Sequence, residues 1–577
     1  MARMPVSNTE IAAMFDRIAE LLEIQGDNPF RIRAYHNAAR TIQGLSDSLA
    51  EQVAAGEDLA RLPTIGKDLA AKIREIVTTG SLRKLKQLEA TVSPDLVDLL
   101  KVPGLGPKRL RALREQLHVR NLEDLEKAAR DGLIRQLPGF GEKSERNILR
   151  ELSEFRQRTR RFLWAEVEET AARLVAWLRE IPGVKAVEMA GSFRRRRETV
   201  GDLDVLVSAA RGAPVMDAFV RFAQVERVVS KGTTRSTVVL RGGLQVDLRV
   251  VPHVSFGAAW HYFTGSKAHN IAVRVMGVRR GLKINEYGVF DKQGKRVAGR
   301  TEKSVYARVG LAWIVPELRE KRGELEAAAS GGLPKLVELS DLRGDLHCHT
   351  TRSDGRHSLA VMAEAARTRG HEYLAITEHS QHLRVAHGLS ADQLLAHCDA
   401  IDALNDRLQG LRLLKGVEVD ILEDGSLDMP DEVLARLDIC LGAIHFAFGL
   451  SRERQTERVI RAMDNRYFNI LAHPTARLIG KRPACDLDME RVMEAALRRG
   501  CYLELNAQPQ RLDLDDRHCR MAKERGLRIA ISSDAHGSGQ LDNLRHGVAQ
   551  ARRGWLERGD VLNALGLKAL LKALKRS

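Results

Sequence analysis

Gly191-Ser192-Phe193-Arg194-Arg195-Arg196-Arg197-Glu198-Thr199-Val200-Gly201-Asp202-Leu203-Asp204-Val205-Leu206-Val207 is the stretch from which the fold of this 577-residue chain is read. A Gly-Ser turn is followed ten residues later by Asp-x-Asp at the start of an apolar run. Side chains alternate along a strand, so Asp202 and Asp204 share one face. A third acid, Asp247, lies in a second strand-like run, Gln245–Val251. Three convergent carboxylates suit a pair of Mg²⁺ ions about 3.5–4 Å apart, one activating a hydroxyl nucleophile and the other neutralising a phosphate chain. Gly191-Ser192 supplies a tight turn with phosphate donors. A lone Asp-x-Asp is usually structural. Preceded by Gly-Ser at this distance, it is much more specific.

Upstream, residues 1–155 read as helical. Ile11, Met14, Phe15, Ile18, Leu21 and Leu22 repeat at the spacing of an amphipathic helix. Three copies of one short pattern follow: Leu62-Pro63-Thr64-Ile65-Gly66-Lys67, Val102-Pro103-Gly104-Leu105-Gly106-Pro107-Lys108 and Leu137-Pro138-Gly139-Phe140-Gly141-Glu142-Lys143. Each precedes a helical stretch and looks like a helix-hairpin-helix element. Such a turn presents backbone N–H groups at the positive end of a helix, which binds phosphate without reading bases. Gly66, Gly104, Gly106, Lys108, Gly139, Gly141 and Lys143 are the candidate DNA contacts. A plain turn between packed helices is the alternative for any single copy.

Charge is distributed to match. Residues 1–340 carry 57 basic and 42 acidic residues, whereas 341–577 carry 35 and 34. The basic part suits a polyanion. Histidine runs the other way, with 13 of 18 after residue 340, which suits metal. No apolar run approaches the ~20 residues of a membrane span. The N-terminus lacks an apolar signal segment, and the six cysteines show no CxxC pairing, so a reducing cytoplasm is expected.

Downstream, short apolar strands alternate with helical stretches, the pattern of a parallel α/β unit. Metal-type residues sit at the strand ends: His347, His349 and Asp354, then His379, Glu418, His445, His473, and finally Asp534 with His536. In a βα barrel such ends converge. Nine donors exceed the four that one tetrahedral ion needs, so two or three ions are expected. His357, His371, His382, His387, His397, His518 and His546 fit none of these positions. Arg384, Lys481 and Arg482 are weaker candidates for phosphate contacts.

Residues 191–204, with Tyr262-Phe263-Thr264-Gly265-Ser266, resemble the palm and thumb of family X DNA polymerases, the group that includes DNA polymerase beta. The resemblance implies that Asp202, Asp204 and Asp247 bind Mg²⁺, with Asp247 also accepting the 3′-hydroxyl proton. It implies that Ser192, Arg195 and Gly201 hold the triphosphate. Tyr262 and Phe263 would lie against the sugar, with the Tyr262–Gly265 backbone disfavouring ribose. Asn270 would contact the base region, and Arg274 the template minor groove. Two departures stand out: Gln245 replaces an arginine of vertebrate members, and Lys267 replaces an acid. Residues 30–35, 62–73 and 82–84 resemble the family's lyase domain, and Lys72 falls at the Schiff-base position. Asp68, however, stands where a phosphate-binding lysine is usual, and a helix-surface lysine is the alternative for Lys72.

The C-terminal order HxH, SDG, EHS, GxE, IH, AHP, SDAH resembles the PHP (polymerase and histidinol phosphatase) domain. That family implies a distorted seven-stranded barrel holding a trinuclear cluster of Mn²⁺, Zn²⁺ or Fe ions and hydrolysing phosphoesters. Glu378 stands where the family more often has aspartate. The expected architecture is therefore multidomain: helical helix-hairpin-helix N-terminal domains, an α+β nucleotidyltransferase palm and thumb, and a C-terminal distorted (βα)7 barrel. The expected divisions are a lyase-like helical domain at 1–85, fingers at 86–158, palm at 159–255, thumb at 256–318, a linker at 319–340 and the PHP domain at 341–577. The resemblance implies gap-filling synthesis in DNA repair, including base excision repair. It also implies a 3′–5′ exonuclease, abasic-site endonuclease or 3′-end phosphoesterase activity, and a 5′-deoxyribose-phosphate lyase if Lys72 is active. Gapped or nicked duplex DNA and deoxynucleoside triphosphates are the implied partners, and a monomer without membrane contact is expected. A small-molecule phosphatase with a DNA-binding appendage and a non-catalytic gap scaffold are the alternative readings.

Overall fold

The computed structural model describes residues 8–45, 49–91, 99, 102 and 105–575. They fall into two compact units, Met1–Arg160 and Arg161–Ser577. No described helix is long and apolar enough to cross a membrane.

The described part of the first unit is helical. Helices α1 (Asn8–Gln25) and α2 (Pro29–Gly44) pack through Ile11, Phe15, Ile18 and Leu22 against Tyr35, Ala39 and Ile42. The three repeated patterns fold alike. In each, an amide donates back three residues to close a turn: Ile65 to Leu62, Leu105 to Val102 and Phe140 to Leu137. Helices α3 (Lys67–Thr79), α4 (Pro107–Leu117) and α5 (Glu142–Thr159) follow these turns. Ile65, Leu105 and Phe140 are buried and anchor each turn in the core.

The second unit opens with helix α6 (Trp164–Arg179) and a five-stranded sheet. Its strands are β1 (Val184–Met189), β2 (Asp202–Ala209), β3 (Val225–Lys231), β4 (Arg235–Leu240) and β5 (Gln245–Val251), in the order β1-β2-β5-β4-β3. Only the β2–β5 pair is parallel. Leu203, Val205 and Val207 pack with Leu174, Leu178 and Phe219 in one core, so the alternating Asp202 and Asp204 are left on the other face. Helices α7 (Phe256–Thr264) and α8 (Lys267–Arg279) follow, then a three-stranded antiparallel sheet.

Residues 319–340, expected to be a linker, instead contribute side chains to a core. Leu325, Ala328 and Leu336 are buried with Val305 and Tyr306. The Arg319 guanidinium is fully buried and donates to both oxygens of Glu302. Paired charge, not solvent, satisfies this polar stretch.

The C-terminal part is a seven-stranded parallel sheet: β6 (Gly344–Asp345), β7 (Tyr373–His379), β8 (Arg412–Asp420), β9 (Ile439–Ala443), β10 (Ile470–Leu471), β11 (Tyr502–Asn506) and β12 (Ile529–Ser532), ordered as in the chain. Just past β6, Cys348 bridges in parallel to Ala535, just past β12, which brings the two edges together into a nearly closed barrel. The terminal helix Leu567–Leu574 buries Leu570 and Leu574 against this barrel. All six cysteines are buried and free.

Candidate active sites

The first centre lies where β2 and β5 run side by side. Their parallel register sets Asp204 directly beside Asp247, and Asp202 beside Gln245. Asp204 is pushed up to about 7, by burial first and then by the charges of Asp202 and Asp247. Asp202 is raised for the same reasons, burial first. Nothing apolar demands three clustered acids, and their mutual repulsion is of the kind that bound cations would relieve. Asp247 is steadied by neighbouring strands: Thr237 donates its hydroxyl to Oδ1, and Gln245 Nε2 donates to Oδ2 at 2.9 Å.

Gly191 sits directly against this cluster. Its φ is +59°, and a Cβ there would lie 2.2 Å from Asp204 Oδ2. Only glycine permits this approach. Ser192 belongs to the short helical turn Gly191–Arg194, and Gly201 to the bend entering β2. Arg195 donates to the Thr264 carbonyl and, through Nε, to Glu320 at 3.1 Å. Tyr262 and Phe263 meet edge to face at the end of α7, ahead of the buried Gly265. Asn270 Nδ2 donates to the Tyr262 carbonyl at 2.6 Å, while its buried Oδ1 has no hydrogen-bond partner. Arg274 is exposed and lines an open pocket of about 610 Å³ with Lys283, Phe290 and Lys292.

The second centre lies at the carboxyl ends of the barrel strands. All nine expected donors converge there. His349, Asp354, His379 and His536 form one ligand-competent group; His347, His349 and Asp534 a second; His379, Glu418 and His445 a third. His473 joins through Nε2, 2.8 Å from Glu418. Glu418 is the hub, within 2.9 Å of His379 and 3.3 Å of both His347 and His445. The shared histidines place the three groups edge to edge.

Burial alone would raise Glu418 and Asp534, but the surrounding imidazoles hold both well below the carboxylate range. Burial would lower His347, yet Glu504, Asp534 and Glu418 carry it well above the usual imidazole value. His349 goes down to about 4, from burial and then from His379 and His536. His347 Nε2 and both ring nitrogens of His349 are buried without a hydrogen-bond partner. Unpaired nitrogens facing carboxylates fit metal ions, because burying them unsatisfied is otherwise costly.

Some supporting residues were missed in the sequence. Glu504 accepts from His347 Nδ1 at 2.7 Å and from the His473 amide at 2.6 Å. Asp420 accepts from His445 Nδ1 at 2.7 Å, and Asn506 donates to Asp534 at 2.9 Å. The available signal was the strand period, because Asp420 stands two residues past Glu418 and Asn506 two past Glu504. Glu378 turns away from the cluster and binds Thr350, Ser353 and His397. Arg482 is occupied by the Ala476 carbonyl and lies over Phe448.

In the first unit, Gly66 and Gly106 cap α3 and α4 without any side-chain cap. Space is open within 4 Å over Gly66, Gly106, Gly139 and Gly141, and Lys108 and Lys143 are exposed beside them. Gly104 lies outside the described residues. Lys72 is not presented as a free amine: its Nζ lies 2.5 Å from both oxygens of Asp68, one helical turn away.

Comparison with known proteins agrees with this geometry. Family models match a helix-hairpin-helix domain over residues 6–82, a SAM-like helix-hairpin-helix tandem over 96–154, the DNA polymerase beta thumb over 259–320 and the PHP domain over 345–508. The chain is 39% identical over 571 residues to the DNA polymerase/3′-5′ exonuclease PolX of Bacillus subtilis (strain 168), covering 98% of this chain and 99% of that one. Rat DNA polymerase lambda is 27% identical over 347 residues, 54% of this chain and 56% of its own. A probable phosphatase of Thermoanaerobacter sp. (strain X514) is 30% identical over 248 residues, 40% of this chain and 95% of its own.

Proposed function

Because the chain belongs to the family X DNA polymerases that carry a C-terminal PHP domain, we propose that it fills short gaps in duplex DNA at one centre and trims 3′ ends at the other. The observation that carries this reading is the coexistence of two separate donor clusters, three carboxylates on β2 and β5 and nine donors at the barrel mouth.

At the palm, Asp202, Asp204 and Asp247 would hold two Mg²⁺ ions. Bound cations there supply charge neutralisation for a triphosphate and acidify the primer hydroxyl. The protein's own part is positional. Gly191 lets the phosphate-binding turn approach the acids, Ser192 and Arg195 meet the triphosphate, and Tyr262 and Phe263 wall the sugar. Thr237 and Gln245 orient Asp247 so that it can take the 3′-hydroxyl proton.

At the barrel, the nine donors would hold two or three ions, with Mn²⁺ or Zn²⁺ matching the mixed imidazole and carboxylate set. Such ions polarise a phosphoester and make water a nucleophile at neutral pH. Glu504 and Asp420 fix the tautomers of His347 and His445, so their far nitrogens stay available. A 3′–5′ exonuclease, a 3′-phosphatase and an abasic-site endonuclease all need only a phosphoester presented to this mouth. In the first unit, the open helix starts suit non-specific phosphate contacts on either side of a gap. The Lys72–Asp68 pair argues against lyase chemistry, because the carboxylate engages the amine that would attack the aldehyde.

The deciding experiment is a gapped-duplex assay scored for extension and for 3′ shortening, with Mg²⁺ and Mn²⁺ compared. Extension in Mg²⁺ together with Mn²⁺-stimulated shortening is expected. Release of phosphate from a small monoester such as histidinol phosphate, with neither DNA reaction, would instead establish the phosphatase alternative. DNA binding without either reaction would establish the scaffold.

A further inference from the structure

Helix α9 (Leu544–Arg553) begins eight residues after the barrel donor His536 and presents two working faces. One is built into the barrel: Val548 and Ala551 are core residues, and a Cβ on Gly547 would lie 2.6 Å from Ile531. The other carries His546, Gln550 and Arg553, spaced by four and then three residues and thus aligned on one side of the helix. All three are polar and nearly fully buried, at 7%, 2% and 3% exposure.

They face the palm's Gly191–Glu198 turn, His546 by way of Trp164. The His546 ring meets the edge of Trp164, which stacks on Phe193 and lies under the Arg196 guanidinium. Gln550 Nε2 reaches Glu198 at 3.4 Å, and Glu198 also accepts from Arg477 at 2.8 Å. Arg553 Nη1 donates to the Arg195 carbonyl at 2.8 Å and lies 3.2 Å from Glu320. Glu320 is the same carboxylate that holds Arg195 Nε. Arg553 is held in turn by Asp516 at 2.6 Å. Arg545–Glu168 and Arg552–Glu317, at 2.8 and 2.9 Å, flank the contact.

We infer that this face of α9 positions the nucleotide-binding turn, and that Arg553, a residue of the nuclease barrel, is a positioning residue for the polymerase. This rests on the reading of Arg195 as a triphosphate contact. Arg553 touches no substrate. It fixes Arg195 twice, by its backbone oxygen and through Glu320, and so sets where the Arg195 guanidinium can meet phosphate. Rate and affinity at such sites depend on placement to a fraction of an ångström. Loss of Arg553 would leave the Arg195 carbonyl without its buried donor and Glu320 with Arg195 alone, and the turn would relax.

The test is single-nucleotide insertion on a gapped duplex by the full chain in Mg²⁺, with Arg195→Gln, Arg553→Gln and Arg553→Lys compared with the unaltered protein. Nuclease activity is measured in parallel as a control for folding. Arg553→Gln should raise the KM for nucleotide about tenfold with kcat within about threefold, nuclease activity being retained, and Arg553→Lys should fall between it and the unaltered protein. An unchanged KM in both Arg553 variants, with KM raised in Arg195→Gln, overturns the inference. An unchanged KM in Arg195→Gln overturns the underlying reading of the turn, and the inference with it. If Arg553→Gln loses both activities, Arg553→Lys decides: a raised KM supports the inference and an unchanged one overturns it.

Discussion

Asp204 and Asp247 stand in register on adjacent parallel strands, and Gly191 lies so close that a Cβ there would come within 2.2 Å of Asp204 Oδ2. The pair makes the palm's acids a single electrostatic unit. Asp202→Ala should lower extension by on the order of a thousandfold, because the cations would lose one of three carboxylates able to hold them. Trimming of 3′ ends should persist. Extension by the variant at near-normal rate would show that these acids are not the polymerase centre.

The raised Asp204 has a consequence for stability. Between about pH 4 and about 7 the metal-free folded protein keeps a proton on Asp204 that the unfolded chain, at 3.8, has released. Folding takes up that proton, so the metal-free fold weakens as pH rises through this window and does not recover above it. Asp204→Asn removes the effect. In chelator, its unfolding midpoint should exceed that of the unaltered protein at about pH 8 and match it near about pH 4. Equal midpoints at both pH values would mean that the carboxyl is not forced out of its ordinary range.

At the barrel, Glu418→Gln should abolish 3′ trimming and sharply reduce bound metal, since five histidines gather on this carboxylate. Extension in Mg²⁺ should continue at more than about half its normal rate. Metal content and both activities, measured on one preparation, check this.

Glu504→Gln tests the support behind the ligands. Glutamine cannot accept from both the His347 ring and the His473 amide as the carboxylate does. Metal affinity should fall about 10–100-fold, and excess Mn²⁺ should restore trimming. Irrecoverable loss would point to a folding role instead.

For Lys72, borohydride should trap little covalent product on a 5′-abasic substrate. Asp68→Ala should increase trapping, and Lys72→Ala in that background should remove it. Strong trapping by the unaltered protein would show that the Asp68 pair opens readily on DNA.

Much of this was legible in the chain itself. The strand period alone puts Asp202 and Asp204 on one face, and the spacing of His347 and His349, or of Asp534 and His536, puts each pair on one strand end. The Asp204–Asp247 neighbourhood needed the β2–β5 register, which no local pattern encodes. Glu504 and Asp420 stayed hidden because they touch ligands rather than form part of any recognised motif. Residues 319–340 misled for a physical reason. Their charge and glycine content read as solvated linker, but the partner that buries Arg319 is Glu302, 17 residues upstream.

The closing bridge of the barrel joins Cys348, flanked by His347 and His349, to Ala535, flanked by Asp534 and His536. The seam and part of the candidate metal-binding cluster are thus assembled from the same two segments. On the function proposed above, a nascent chain would lack a complete donor set until the 534–536 segment had emerged and docked. Cations held by His347, His349 and Asp534 would clasp that seam, so a half-made polypeptide would be spared the means to cut DNA it meets.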